Sequence, residues 1–485
     1  MIHLTLSEIA SIVDGQLRDA DPAAVVTGPV EFDSRKVRAG GLFLAFPGEH
    51  VDGHDFVRAA IGQGAAAALV TRPVAGPRIE VGDGFAALAA LARAVARRLS
   101  NTTVVAITGS SGKTSTKDIL AQLLDLLGPT VAPPGSFNNE LGHPYTVLLA
   151  DKDTRFLVLE TSARGIGHIA FLAEIAPPRI GVVLNVGTAH LGEFGSQSAI
   201  ATAKGELVEA LPSAEAGGIA VLNADDPLVL AMASRTAARI VTVGLATGAD
   251  VRAAEVTLDD LGRAGFVLRA AGDMAPVQLK LVGAHHVGNA VAAAAVALEC
   301  GLSVAAVAAA LDQVVPASRW RMELSERADG VLVINDAYNA NPESMRAALA
   351  ALASVARPRA AQGGRAFAVL GPMAELGAEG PAQHDELGRL AVHSGVSRVI
   401  AVGEQARPIQ RGAALEGSGD DQASWVLDAG AAIAMLREEL RPGDVVLVKA
   451  SRSASLERVA LAIAEDSFAG SGPNADPDRT GGTAA

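Results

Sequence analysis

The sequence predicts an α/β chain organised as three domains, and three observations carry that reading. Its 485 residues amount to about three domains at roughly 150 residues each. From Val104 the short apolar runs VVAI, FLVLE, IGVVLNV and IAVLNADD alternate with helical segments, the pattern of parallel strands covered on both faces. A second series, VLVIND, AFAVLG, RVIAVG, WVLDAG and VVLVKAS, follows Pro316 and predicts another mostly parallel αβα layer.

Taken in order, residues 1–98 form a smaller α/β module containing GLFLAFPG and AAAALVT, ahead of the polar hinge Ser100-Asn101-Thr102. Residues 99–316 hold the first strand series and residues 317–463 the second. The remaining segment, 464–485, is rich in Gly, Pro, Asp and small polar residues and is expected to be disordered. The Ala-rich stretch Val287 to Val315 carries Asn289, Glu299 and Asp312, so it predicts two closely packed small-residue helices broken around Gly301, with no membrane insertion.

Composition narrows the function classes. With 49% hydrophobic and 19% charged residues the chain is globular, and 40 Lys and Arg against 53 Asp and Glu leave a formal charge of −13. No general field attracts nucleic acid or anionic lipid, so a bound anion needs a local site. Aromatic residues are 3% of the chain, which argues against a base-stacking platform and so against nucleic-acid partners. Cys300 is the only cysteine, which excludes an intrachain disulfide and a thiolate zinc cluster. The start, MIHLTLSEIASIVDG, lacks a basic region and an uninterrupted apolar run, so a cytoplasmic location is expected.

The sharpest local signal is TVVAITGSSGKT, residues 103–114. A strand enters a glycine-rich turn, Gly109-Ser110-Ser111-Gly112-Lys113-Thr114, and a helix follows. Backbone N–H groups at such a turn cradle phosphate, Lys113 neutralises its outer oxygens, and Thr114 presents a hydroxyl to Mg²⁺. The glycines stand two residues closer than in the ordinary Walker A spacing. A structural turn with a surface lysine is the alternative. Glu160 ends the strand FLVLE, where α/β sheets place ligands, and reads either as a Mg²⁺ ligand or as a capping carboxylate. His190 follows the next long strand and reads as a metal or phosphate contact or as a hydrogen-bonded loop histidine. Lys204, before Gly205, reads by spacing alone as a solvated helix-end charge.

Ten segments, in order and spacing, resemble the Mur ligases: ITGSSGKTSTK (107–117), FNNELGHP (137–144), VLE (158–160), NVGTAHLGEFGS (185–196), AKGE (203–206), GAHHVGN (283–289), SRWRM (318–322), NDAYNANPES (335–344), GPMAELG (371–377) and VLVKASRSASLE (446–457). The resemblance covers about residues 1–463 and implies a three-domain architecture: a small N-terminal α/β domain for the UDP end of the substrate, a central P-loop-like ATPase domain and a C-terminal Rossmann-like domain. It implies an ATP-dependent ligase that adds D-alanyl-D-alanine to UDP-MurNAc-tripeptide through an acyl phosphate, using Mg²⁺, with two ions expected, and acting as a monomer. Domain motion is expected to pivot near 99 and 316.

By the same resemblance Asp33, Ser34, Arg35 and Gly48 lie near the uridine nucleotide, although a polar DSR before a turn also reads as ordinary loop chemistry. Lys113, Thr114, Glu160 and His190 correspond to phosphate and Mg²⁺ residues, and Asn138 and Asn139 to a loop near the reacting centre. Lys204 corresponds to a lysine that the family carboxylates, which turns a basic side chain into an anionic metal ligand. His285 and Asn289 match a GxHxxxN segment near adenine, and their spacing predicts one helix face. Arg319 matches an arginine after the hinge, with roles in catalysis and nucleotide binding. Asp336, Tyr338, Asn339, Asn341 and Pro342 match a D-x-YNANP turn that folds back toward ATP; its preceding residue, Asn335, is often Asp in relatives. No Asp-Asn-Pro-Arg segment occurs, which implies addition of a dipeptide rather than of a single diamino acid. Another amide-forming ligase of the superfamily and a noncatalytic ATP-dependent module are the competing readings.

Overall fold

The computed structural model describes residues 1–48, 51–188, 191–417 and 422–465. Three main sheets follow one another along the chain. The first has five strands in the order Gln16–Arg18, Arg78–Glu80, Ala67–Val70, Leu42–Leu44, Val30–Glu31, parallel except for the first pair. Helix Gly84–Arg98 covers it, burying Leu88, Leu91 and Val95. Asp83 starts that helix by accepting from the Phe85 and Ala86 amides, and Arg97 and Arg98 sit in its last turn, where the helix dipole favours cations.

The central sheet has nine strands. Seven run from Thr130–Val131 through Phe156–Glu160, Thr103–Thr108, Ile180–Val183, Ile219–Asn223 and Arg239–Gly244 to Val251–Leu258, and every pairing among them is parallel. All five residues of Phe156–Glu160 are buried. Each fully buried aliphatic side chain in such a strand contributes about 1.5–3 kcal/mol of transfer free energy. Beyond Val251 the sheet turns antiparallel through Arg263–Ala270 and Asp273–Val282. The apolar runs gave no sign of this extension, because its strands alternate buried and exposed positions instead of forming continuous apolar blocks.

The Ala-rich stretch forms helices His286–Glu299 and Val304–Leu311, divided at Gly301, whose φ of +108° suits glycine alone. Ala290 to Ala297 are buried in the same cluster as Ile119, Leu120, Leu123 and Leu124 of helix Lys113–Leu124. Small side chains let the helix after the glycine loop seat deep between sheet and neighbour. Cys300 packs at the edge of this cluster, and burial pushes its thiol up to about 11.

The third sheet has six strands in the order Glu323–Glu326, Leu332–Asn335, Val445–Lys449, Ala366–Leu370, Arg398–Val402, Ala423–Val426, parallel except for the first pair. Its last helix, Glu457–Glu465, extends two residues past the expected start of the tail; the rest of that tail, from 466, lies outside the described residues. The segment entering this block is fastened to helix Lys113–Leu124. Val315 and Gln122 exchange two hydrogen bonds of 3.0 and 3.1 Å, and the Ser318 amide donates to Asp118 Oδ2 at 3.0 Å. Among the described residues no helix is long and apolar enough to cross a membrane.

Candidate active site

The glycine loop leaves strand Thr103–Thr108 and enters helix Lys113–Leu124 through Gly112, whose φ is +82°. A Cβ at Gly112 would lie 2.4 Å from Asn289 Oδ1, so the loop needs glycine both for its backbone angle and for the approach of the Ala-rich helix. The amides of Lys113, Thr114 and Ser115 open the helix and have no intrahelical acceptor, which makes them anion donors. The Ser110 and Ser111 amides instead both donate to Asn185 Oδ1 at 2.9 Å. Asn185 lies in NVGTAH and braces the loop from the next strand, a role the motif reading did not assign to it.

Two adjoining cavities meet at this loop, of about 470 and 240 Å³. The larger is bordered by Lys113, Thr114, Asn138 and Asn139 from the central block and by Arg321, Tyr338, Asn339 and Asn341 from the C-terminal block. The smaller is bordered by Gly112, His285, Asn289 and Asp336, together with Asn223, Asp225, Glu343 and Lys449. Direct bonds join the blocks: Asn341 Nδ2 donates to the Ser110 carbonyl at 3.3 Å, and the Thr188 amide and hydroxyl donate to Glu343 Oε1 at 2.6 and 2.8 Å.

Arg319 is placed elsewhere. It is exposed and borders neither cavity, whereas Arg321 donates to Thr114 Oγ1 at 3.2 Å and stacks its guanidinium 4.2 Å from the Tyr338 ring centroid. The reason is local backbone: Trp320 and Met322 adopt φ of +59° and +51°, which fold the segment back so that the second arginine of SRWR, not the first, enters the cleft.

Cations collect around the loop. Lys113 donates to the Gly109 carbonyl at 2.6 Å, and burial lowers its amine to about 8 despite the opposing pull of Glu160. Lys204 is not a helix-end charge. It sits in the interior of helix Gln197–Glu209, 4% exposed, with no hydrogen-bond partner among the described residues, and burial followed by Lys113 drives its amine well below the ordinary lysine range. That shift favours the neutral amine, the form that reacts with CO₂.

Glu160 is fully buried. Its Oε2 accepts from Ser136 Oγ at 3.3 Å and Asn138 Nδ2 at 3.5 Å, while Oε1 has no partner. An unpaired buried carboxylate oxygen beside a phosphate loop fits a hard cation such as Mg²⁺. The described residues contain no cluster of three or more His, Cys, Asp or Glu suited to a metal. His190 lies outside the described residues.

His285 stands at the N-cap of helix His286–Glu299, one residue before it, with α-helical dihedrals and four residues ahead of Asn289, and both border the smaller cavity. Burial lowers its imidazole to about 4. Asn139 Oδ1 accepts from the Gly142 amide at 2.9 Å, a local turn that orients the loop. Pro342 opens helix Pro342–Ala360 behind the Asn341 cap.

The N-terminal residues expected near uridine do not reach either cavity. Asp33 caps the turn Ser34–Lys36 and pairs with the exposed Arg35 at 2.9 Å, which lowers Asp33 to about 2; Gly48 bonds to the Val51 carbonyl at 3.0 Å. A link to the cleft exists beside them. Phe32 packs on Tyr145 and Phe137 with centroids 5.0 and 6.1 Å apart, so the residue before Asp33 touches the residue before Asn138.

Comparison with known proteins agrees with this geometry. Residues 29–96 match the Mur ligase family catalytic domain, 107–297 the Mur ligase middle domain and 320–452 the Mur ligase glutamate ligase domain. UDP-N-acetylmuramoyl-tripeptide–D-alanyl-D-alanine ligase of Mycobacterium tuberculosis is 53% identical, the alignment covering 97% of this chain and 99% of that one. The crystal structure of MurF from Acinetobacter baumannii superposes with a TM-score of 0.83 at 30% identity, over 96% of this chain and 99% of that one. MurF ligase from Thermotoga maritima in complex with ADP gives 0.75 at 31% identity, over 91% and 98%. Three sheets in this order, the cleft between the central and C-terminal blocks and these matches place the chain in the Mur ligase family.

Proposed function

We propose that this chain uses ATP to join D-alanyl-D-alanine to UDP-MurNAc-tripeptide, giving the pentapeptide precursor of peptidoglycan. The observation that carries the reading is one cleft built from two blocks: the phosphate loop supplies Ser110 and Thr114, and the C-terminal block answers with Asn341 and Arg321. The 53% identity to a relative named for this reaction, and the absence of an Asp-Asn-Pro-Arg segment, favour a dipeptide as the incoming amine.

The tripeptide's terminal carboxylate attacks the γ-phosphorus of ATP, ADP leaves, and an acyl phosphate remains. The amine of D-alanyl-D-alanine then attacks the acyl carbon and phosphate departs. Carboxylate and triphosphate repel one another, so the work of the protein is positioning and charge neutralisation. The Lys113, Thr114 and Ser115 amides orient the phosphates, Lys113 and Arg321 face the transferring group, and Asn138 and Asn139 border the acceptor end. Asp336, His285 and Asn289 border the smaller cavity and take the nucleoside. Glu160 and Thr114, with Lys204 if carboxylated, would hold Mg²⁺, which would supply charge neutralisation on the phosphoryl oxygens.

Asp33, Ser34, Arg35 and Gly48 serve the UDP end, connected to the acceptor loop through Phe32 and Phe137. Closure is taken up beyond Ser318, because the linker before it is fastened to the central block. The enzyme is proposed to act as a monomer in the cytoplasm. The test is mass-resolved product formation from ATP, Mg²⁺, UDP-MurNAc-tripeptide and D-alanyl-D-alanine, with UDP-MurNAc-dipeptide and free amino acids as competitors. Pentapeptide with equal phosphate release is expected; product only from the shorter acceptor would move the enzyme to a neighbouring step.

A further inference from the structure

Lys449 ends strand Val445–Lys449, and the parallel strand beside it pairs Asn335 with Val448, so the next residues, Asp336 and Lys449, meet at the carboxyl edge of the sheet. The lysine is 2% exposed. Its amine donates to Asp336 Oδ2 at 2.6 Å, to the Asn339 carbonyl at 2.7 Å and, at 3.5 Å, to the Asp336 carbonyl. An ammonium has three N–H donors, and all three point into one turn. None is left for a ligand, although Lys449 borders the smaller cavity.

The other carboxylate oxygen of Asp336 accepts from the Met322 amide at 3.2 Å, and the Tyr338 amide donates to the Trp320 carbonyl at 3.2 Å. Those two bonds bracket Arg321. One buried ammonium therefore fixes the turn that carries Tyr338 and Asn339 and, through Asp336, the strained segment that delivers Arg321 to Thr114. A lysine needed only to neutralise a buried carboxylate would not have to bond the Asn339 carbonyl as well.

We infer that Lys449 is a positioning residue for ATP, acting through the Asp336 carboxylate and the Asn339 carbonyl and not by contact with the nucleotide. This rests on the reading of the 336–341 turn as a nucleotide-binding element. The test compares Lys449→Met, Asp336→Asn and the double variant by steady-state kinetics, with thermal melting of each.

Lys449→Met is expected to raise KM for ATP about tenfold, the size of one charge-assisted hydrogen bond lost from the nucleotide's support, and to leave KM for UDP-MurNAc-tripeptide within about twofold. Asp336→Asn should do the same, and the double variant should be no worse than either single change, because both act on one element. Lys449→Met strands a buried carboxylate and can fail to fold; the double variant removes both charges, so it should melt cooperatively and keep the raised KM for ATP. A normal KM for ATP in Lys449→Met beside a raised one in Asp336→Asn overturns the inference alone. A normal value in Asp336→Asn overturns the nucleotide reading of the turn with it. Equal rises in both KM values would make Lys449 a structural residue, and a double variant in which the two effects multiply would also defeat the inference.

Discussion

Arg321 donates a guanidinium N–H to Thr114 Oγ1 across 3.2 Å, joining residues 207 positions apart in the sequence. The bond ties the C-terminal block to the first turn of the phosphate-loop helix. Replacing Arg321 by Ala should lower kcat/KM by about 10²–10³, as expected for a preorganised cation aimed at developing negative charge. Arg321→Lys should recover little, since a point ammonium cannot stack on Tyr338 as the planar group does. Arg319→Ala, two residues away and exposed, should leave phosphate-release kinetics unchanged.

Gly112→Ala should abolish ATP binding while leaving most of the fold intact. Its backbone lies at φ +82°, and the added methyl meets Asn289 Oδ1 at 2.4 Å, so the loop must shift away from the Ala-rich helix His286–Glu299. The strain is on the order of 1–3 kcal/mol before any clash. Calorimetric titration with ATP is the measurement, and wild-type affinity would contradict the proposed role of the loop.

Lys204 should carry CO₂. Burial, and then Lys113, push its amine well below the ordinary lysine range, which favours the neutral form that reacts with CO₂. Enzyme depleted of CO₂ should lose activity and regain it with bicarbonate, and Lys204→Ala should be inactive and insensitive to bicarbonate. Mass spectrometry under mild conditions should find one added CO₂ on the peptide containing Lys204. Activity indifferent to bicarbonate, with no such adduct, would exclude the modification.

Acid should destabilise the protein in a defined window. Burial lowers His143 and His285 from their ordinary 6.5 to about 4. Between those values the unfolded chain binds the protons that the folded chain refuses, so stability falls as pH drops from 6.5 toward 4 and this contribution levels off below it. Each group contributes a slope of about 1.4 kcal/mol per pH unit within the window. Urea melts from pH 7 to 4 should show the fall, and a His143→Gln, His285→Gln variant should make it shallower, with His286 and His384, also lowered by burial, keeping the remainder.

The parallel sheets were legible because strands buried on both faces write continuous apolar runs. The antiparallel strands 263–282 were not, because half-exposed positions look like surface. The glycine loop announced itself through strand, Gly109, Gly112 and Lys113 together. Lys204 could not, since its isolation depends on how helix Gln197–Glu209 packs, and only the family resemblance singled it out. Arg319 and Arg321 are two residues apart and chemically identical; the choice between them lies in two left-handed backbone angles at Trp320 and Met322 that spacing does not encode. Asn185 and Lys449 act by bracing neighbours, and such roles appear only once the strands are side by side.

The scarcity of aromatic side chains has an optical consequence. The chain has two tryptophans, Trp320 and Trp425. Trp425 lies on an edge strand, with its indole N–H bonded to the Gly403 carbonyl at 2.9 Å, far in sequence from the phosphate loop. Trp320 lies in the crossing segment, under the Arg452 guanidinium at 4.5 Å and one residue from Arg321. A Trp425→Phe protein would therefore emit from a single indole placed at the junction of two blocks, and its fluorescence would follow the approach of those blocks in real time without any attached label.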